Sequence, residues 1–308
     1  MKIASLLLLA TAAAFVVPAH ARIERTVEKT FSVNDSGLIR LRTGGGGITV
    51  QNGPDGVVKV VAKQRIRASS EAEADDLLRN LDLKIVQEGN TVTASAKYER
   101  TGSWFKGTPV SVEFVATVPA SFSAEAETSG GGITMGDLGG HVKADTSGGG
   151  IRLGRIGGRV DAETSGGGIT LAQAGGETRL NTSGGSINVG RVTAPADLDT
   201  SGGGITVDAV EQRLRADTSG GSIRARIVGP LAGNCDLSTS GGGITLTVDK
   251  SAAFDLDASS SGGGVEADGL MITLNGGTKR NSLKGAVNGG GPTVKLHTSG
   301  GSVRIRAE

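Results

Sequence analysis

Thr128-Ser-Gly-Gly-Gly-Ile133 recurs eighteen residues later as Thr146-Ser-Gly-Gly-Gly-Ile151, and T-S-G-G-[GS]-I opens again at Thr164, Thr182, Thr200 and Thr218. Self-similarity at a fixed period is the mark of a repeat architecture and decides the fold before any single residue does. The phrase returns at Thr239 and Ser260 after steps of 21, and at Thr298 after a step of 38 that holds a degenerate copy around Asn288-Gly-Gly-Gly. An earlier relative is Thr43-Gly-Gly-Gly-Gly-Ile48.

Side chains on a strand alternate faces, so each unit can be read by parity. Four residues before the threonines stand Ala124, Val142, Val160, Thr178, Ala196, Leu214, Cys235, Leu256 and Val294; two before stand Ala126, Ala144, Ala162, Leu180, Leu198, Ala216, Leu237, Ala258 and Leu296. After the glycines come Ile133, Ile151, Ile169, Ile187, Ile205, Ile223 and Ile244, followed two residues on by Met135, Leu153, Leu171, Val189, Val207, Ala225 and Leu246. All four columns read as inward. Two short strands cannot bury such a face alone, but identical units stacked along an axis make one continuous core. The expectation is an all-β fold, a β-solenoid of about 18-residue two-strand coils.

The intervening residues face outward, about 4.8 Å from their counterparts on neighbouring coils. Three before each threonine the chain reads Glu125, Lys143, Asp161, Arg179, Asp197 and Arg215, a regular change of sign, and then Asp236, Asp257 and Lys295. Exposed opposite charges contribute a few tenths of a kcal/mol each, so their main value is register. One before the threonine stand Glu127, Asp145, Glu163, Asn181, Asp199 and Asp217, nearly a like-charge ladder. Either it is a solvated edge beside the corner, the favoured reading, or Glu127, Asp145 and Glu163 begin a row of weak divalent-cation sites. Calcium-binding glycine repeats place Asp inside the loop, whereas Ile follows the loop here.

Glycine-rich loops also cradle phosphate, but no G-K-[ST] follows these copies, and a phosphate site does not recur on every rung. Corners are the better reading: the chain reverses sharply between two short strands, with glycine supplying positive φ and close backbone approach. The corner threonines Thr128, Thr146, Thr164, Thr182, Thr200, Thr218, Thr239 and Thr298 can hydrogen-bond the turn.

Outward from the repeat, residues 22–125 form a less regular β region, with strand-like runs at Ile39 to Val50, Val57 to Ile66, Leu83 to Val86, Thr91 to Tyr98 and Val110 to Val118. Ser70 and Glu73 form a capping-box signature, and Ala74, Leu77, Leu78 and Leu81 mark one helical face, predicting a helix over 70–81 that covers the open end of the solenoid. Residues 126–308 are the repetitive solenoid. Tyr98-Glu-Arg-Thr-Gly-Ser-Trp-Phe-Lys106 holds the only Tyr and the only Trp of the chain. Trp104, Phe105, Arg100 and Lys106 are therefore the candidate ligand-binding residues, suited to stacking on sugar rings or anchoring in a partner, against packing over the helix cap for Trp104. Tyr98 shares the parity of Val92, Ala94 and Ala96 and reads as core.

Lys2, the apolar run Ile3 to Val17 and the small-x-small site Ala19-His20-Ala21 read as a signal peptide over residues 1–21. No later stretch approaches ~18 consecutive apolar residues, so no transmembrane segment is expected in the mature chain. The 52 Gly and 3% aromatics in 308 residues demand a structural use for glycine. Formal charge is +1, about zero without Lys2, so no global field favours nucleic acid. Cys235, the single cysteine, excludes an intramolecular disulfide framework and falls in an inward column. His141 and His297 lie in different coils and form no triad, so no catalytic residue, resident metal or cofactor is expected.

A signal peptide, strands around Thr43-Gly-Gly-Gly-Gly-Ile48, a helical insertion and repeated T-S-G-G-[GS]-I coils together resemble the bacterial putative adhesin domains of unknown function, over roughly residues 30–306. The resemblance implies a β-solenoid at the cell envelope with no established catalytic residues. The function expected is a non-enzymatic exported envelope protein, periplasmic or secreted, acting as an adhesin-like binding or structural scaffold for a glycan or protein partner. The rivals are a β-helical enzyme acting on polysaccharide through clustered carboxylates and an envelope-stress sensing partner.

Overall fold

The computed structural model of the protein describes residues 22–99, 108–275 and 279–308. Each regular coil supplies one strand that ends on the corner threonine, such as Val142–Thr146, and one that starts on the isoleucine, such as Ile151–Ile156. Strands before the corner form a 14-stranded sheet and strands after it a 13-stranded sheet. Pairing is parallel and in register at the repeat spacing: Val142 opposes Val160, Thr146 opposes Thr164, and Ile151 opposes Ile169. The inward columns are buried, Ala144, Ala162, Leu180 and Leu198 in one sheet and Ile151, Ile169, Ile187 and Ile205 in the other. They belong to one hydrophobic cluster that runs the length of the described molecule. Burying each isoleucine contributes about 1.5–3 kcal/mol, so the repeated column is a large favourable term. This is the β-solenoid that the parity of the sequence predicts.

The corners are built by close approach. A Cβ on the middle glycine would meet backbone of the preceding coil: 2.0 Å from the Gly131 carbonyl at Gly149, 2.2 Å from the Gly149 carbonyl at Gly167, 2.1 Å from the Gly185 carbonyl at Gly203. No side chain fits there without moving the rungs apart. The third position is looser, 3.2 Å from a neighbouring carbonyl at Gly132, and it is where serine stands at Ser186, Ser222 and Ser302. Positive φ, expected at these glycines, is not what they supply. Among described residues it occurs at Gly56, Gly89, Gly229, Gly269, Gly289, Gly290 and Asn288, none of them in a T-S-G-G corner. Steric room selects the corner glycines.

The corner threonines are almost fully buried, and each hydroxyl makes two bonds. Thr164 Oγ1 donates to the Gly149 carbonyl of the preceding coil (2.7 Å) and accepts the Gly167 N–H of its own corner (3.3 Å). The pattern holds from Thr128 to Thr239 and at Thr298, with Ser260 serving in one coil. Buried backbone groups that the tight corner withholds from the ladders are satisfied in this way.

Both ends depart from sequential stacking. The coil Leu38–Thr43 and Ile48–Asn52 stacks on the first regular one, Thr43 opposite Thr128 and Ile48 opposite Ile133, so the run predicted over Ile39 to Val50 is two strands divided by a corner. Thr91–Tyr98 and Val110–Val118 form a further coil outside it. The chain therefore builds the inner coil, passes outward, and returns over it to start the array. Val57–Arg67 and Leu81–Glu88 pair antiparallel with that outer coil, one in each sheet.

The helix is Glu71–Leu78, shorter than predicted. Ser70 Oγ accepts the Glu73 N–H, and the Glu73 carboxylate accepts from the Ser69 N–H, one residue before the position of an ideal capping box. Leu81 leaves the helical face and opens the next strand, because the chain reverses at Arg79 and Asn80, whose N–H returns to the Leu77 carbonyl. Ala74 is buried, and Leu77 and Leu78 pack on the core. The edge strand Arg22–Ser32 carries a mixed column on one face: Ile23, Val27 and Phe31 pack on the core, Arg25 bonds Glu71 and Asp75 of the helix, and Lys29 bonds the Ile85 carbonyl. Charges on the packed face of an edge strand blunt it against further pairing.

At the other end the last coil in sequence, Thr293–Thr298 and Val303–Ala307, lies between the Thr239 coil and the Ser260 coil. The chain skips one rung, lays down Phe254–Ser260 and Val265–Asp268, adds an antiparallel hairpin, Ile272–Leu274 with Ser282–Val287, and comes back to fill the gap. Asn288-Gly-Gly-Gly is no degenerate corner: Asn288, Gly289 and Gly290 form the positive-φ turn that sends the chain back.

Two outcomes follow. Gly167→Ala is expected to cost at least about 1–3 kcal/mol in thermal or denaturant unfolding, whereas Gly132→Ser is expected near neutral; equal effects would remove close approach as the corner's determinant. Removing residues 293–308 is expected to abolish hydrogen-exchange protection in Phe254–Ser260 as well. Retained protection there would show that this strand does not depend on the intercalated coil.

Candidate functional site

Strand parity puts two charged columns on the outer face of the 14-stranded sheet, beside the corners. In spatial order the column three before the corner reads Arg40, Glu125, Lys143, Asp161, Arg179, Asp197, Arg215, Asp236, Lys295, Asp257, Lys284, each residue opposite the next. The sign changes at every step. In chain order Asp236 and Asp257 are consecutive; intercalation of the last coil sets Lys295 between them. Arg40 and Lys284, missed in the sequence, extend the column. The offset of Arg40 from Thr43 was the available signal for the first, while Lys284 sits on an antiparallel strand that carries no corner.

The best-formed pairs are at the two ends. Arg40 Nε donates to Glu125 at 2.6 Å, which holds the Glu125 carboxyl below the usual carboxylate range, and Lys284 Nζ lies 2.8 Å from Asp257. Asp197 instead meets Arg213 at 2.9 Å, and its Oδ1 is buried without a hydrogen-bond partner among described residues.

The acidic column runs Arg42, Glu127, Asp145, Glu163, Asn181, Asp199, Asp217, Ser238, His297, Ser259. Arg42 meets Glu127 at 3.3 Å, so one end of the ladder is neutralised. Glu127, Asp145 and Glu163 stand one per rung, and among described residues no three His, Cys, Asp or Glu side chains gather closely enough to hold a metal ion. At the far end, burial raises the Asp217 carboxyl above its ordinary value, Asp199 and Asp236 push the same way, and Arg215 opposes.

Trp104, Phe105, Arg100 and Lys106 lie outside the described residues. The strands flanking them belong to the outer N-terminal coil, with Ala96 opposite Thr43 and Phe114 opposite Ile48. Tyr98 is half-buried against the core, in line with its parity. Cys235 is buried and unpaired, and burial pushes its thiol up to about 11, which suppresses the nucleophilic thiolate. His297 Nδ1 lies 3.0 Å from Ser259 Oγ on the adjacent coil, and His141 Nδ1 accepts the Arg159 N–H at 2.9 Å. No described helix is long and apolar enough to cross a membrane.

A family model described as Toastrack DUF4097 matches residues 56–306. The chain belongs to the Toastrack family. Three solved structures are similar to this Toastrack chain at low identity. A "putative adhesin" from Parabacteroides merdae ATCC 43184 shares 11% identity, covering 92% of this chain and 97% of its own, with a TM-score of 0.45. A "putative adhesin" from Bacteroides fragilis NCTC 9343 shares 12%, covering 92% and 97%, with a TM-score of 0.36. A "putative lipid binding protein" from Parabacteroides distasonis ATCC 8503 shares 12%, covering 91% and 96%, with a TM-score of 0.47. No curated protein matches this Toastrack chain.

The acidic column carries a pH prediction. A folded carboxyl whose pKa is raised binds its proton more tightly than in the unfolded chain, so the stability tied to Asp217 is lost as pH rises through its folded pKa. Its side chain is 40% exposed, and screening keeps the effect small. Asp217→Asn is expected to raise Tm by about 1–3 °C at neutral pH, with the gain fading in acid. A gain that grows in acid would contradict burial and like-charge repulsion as the origin of the shift.

Proposed function

We propose that the chain is an exported, non-enzymatic binding scaffold of the bacterial cell envelope, adhesin-like in presenting a rigid surface to an external glycan or protein. The observation that carries this reading is the residue-for-residue stacking of coils, which fixes outward side chains at a constant pitch along two sheets. Such an array suits an extended ligand gripped at several rungs, each contact weak and the sum strong. The signal-peptide pattern of residues 1–21, outside the described residues, supports export. Family membership supports a scaffold whose repeats serve architecture.

Incubating the purified chain with a panel of envelope glycans and polysaccharides tests the proposal. Retention without turnover is expected, weakened by Trp104→Ala. A product whose formation disappears on replacing one outward carboxylate, as in Asp161→Asn, would establish the carbohydrate-active enzyme instead, and failure to retain any ligand would remove the glycan-binding scaffold.

A further inference from the structure

A third column on the same face lies five residues before the corners and reads Leu38, Ser123, His141, Arg159 on successive rungs. Ser123 is the short side chain among long ones, and the sheet surface is hollowed above it. The resulting groove of about 460 Å³ is lined by Leu38, Ser123, His141 and Arg159 on one side and by Lys143 and Asp161 on the other. That volume falls within the ~300–1,000 Å³ typical of small-ligand sites.

The polar groups around it are unevenly committed. Glu125 is taken by Arg40. Ser123 Oγ accepts the His141 N–H, and His141 Nδ1 accepts the Arg159 N–H, so the neutral imidazole carries its proton on Nε2 and keeps a donor for a ligand. Among described residues, neither Lys143, Arg159 nor Asp161 has an ion pair within 4.0 Å. Two cations and an imidazole N–H thus stand ready to donate, one carboxylate stands ready to accept, and Leu38 supplies an apolar wall.

We infer that this groove binds a carboxylate-bearing sugar unit of an acidic glycan. The sugar carboxylate meets Arg159 and Lys143, the hydroxyls meet Asp161 and His141 Nε2–H, and the apolar face of the ring lies toward Leu38. Charge complementarity selects an anion, and the acceptor and apolar wall select a sugar over a bare anion. The inference rests on the scaffold reading only in taking a glycan as ligand.

Calorimetric titration of the purified chain with a trisaccharide of galacturonic acid, a neutral galactose trisaccharide and inorganic phosphate tests it. The acidic trisaccharide is expected to bind, and Arg159→Gln and Lys143→Gln are each expected to weaken it about tenfold or more. Arg179→Gln, a cation of the same face outside the groove, is expected to leave binding unchanged. Among described residues neither Arg159 nor Lys143 makes an ion pair, so both variants are expected to fold, checked by an unchanged melt. Equal binding of the neutral trisaccharide, or phosphate binding as tightly as the acidic sugar, would overturn the ligand class. Undiminished binding in both groove variants would overturn the site, and absence of binding by the acidic trisaccharide would overturn the ligand, each leaving the scaffold reading standing.

Discussion

The carbonyl of each corner glycine occupies the space where the next coil's middle glycine would carry its Cβ, and the rest of the structure follows from that contact. At 2.0–2.2 Å along the regular array, it admits no side chain and fixes how closely consecutive coils turn over one another. The same approach brings each threonine hydroxyl within reach of the preceding coil, where it links the N–H of its own corner's middle glycine to the carbonyl of the preceding corner's. A slip of one residue would break that link in every coil and turn the isoleucine column to solvent. Register is therefore set at the corner and only then reinforced by the faces.

With register fixed, the outer charges bear on the order of coils that share one corner phrase. Stacking the Ser260 coil directly on the Thr239 coil would set Asp257 against Asp236 in the same register. The observed order places Lys295 between them and lets Lys284 close the column. Each exposed pair is worth only a few tenths of a kcal/mol, and the competing arrangement would also displace Ser282–Val287 from its antiparallel pairing with Phe254–Ser260. The charge column and the hairpin pairing favour the same order.

Period and parity were legible in the sequence because each corner and each strand carries its whole signal within eighteen residues. Coil order was not, since Thr298 bears the same phrase whether its neighbour in space is Ser260 or Thr239. The first strand was hidden because Arg25 and Lys29 interrupt its packed face, and their partners, Glu71, Asp75 and Ile85, lie about fifty residues away. The groove was hidden for a related reason: His141 reads as an isolated imidazole until the stacking sets Ser123 and Leu38 beside it. Of the candidate site, the columns were readable and the concavity was not.

A solenoid that repeats its core this strictly can vary only where a side chain leaves the repeat. The corner threonine, the middle glycine and the inward columns are held by the coils above and below, so a change in one strains its neighbours. The outward columns are held more weakly, by charge pairing between adjacent rungs. On the proposed scaffold reading, recognition of a particular ligand is placed where the outward pattern breaks, at Ser123 between Leu38 and His141 and at Asn181 within the acidic ladder. The regular rungs hold Ser123 and Asn181 at fixed spacing, and on the proposed reading that rigidity lets weak individual contacts on different rungs act together on one extended partner.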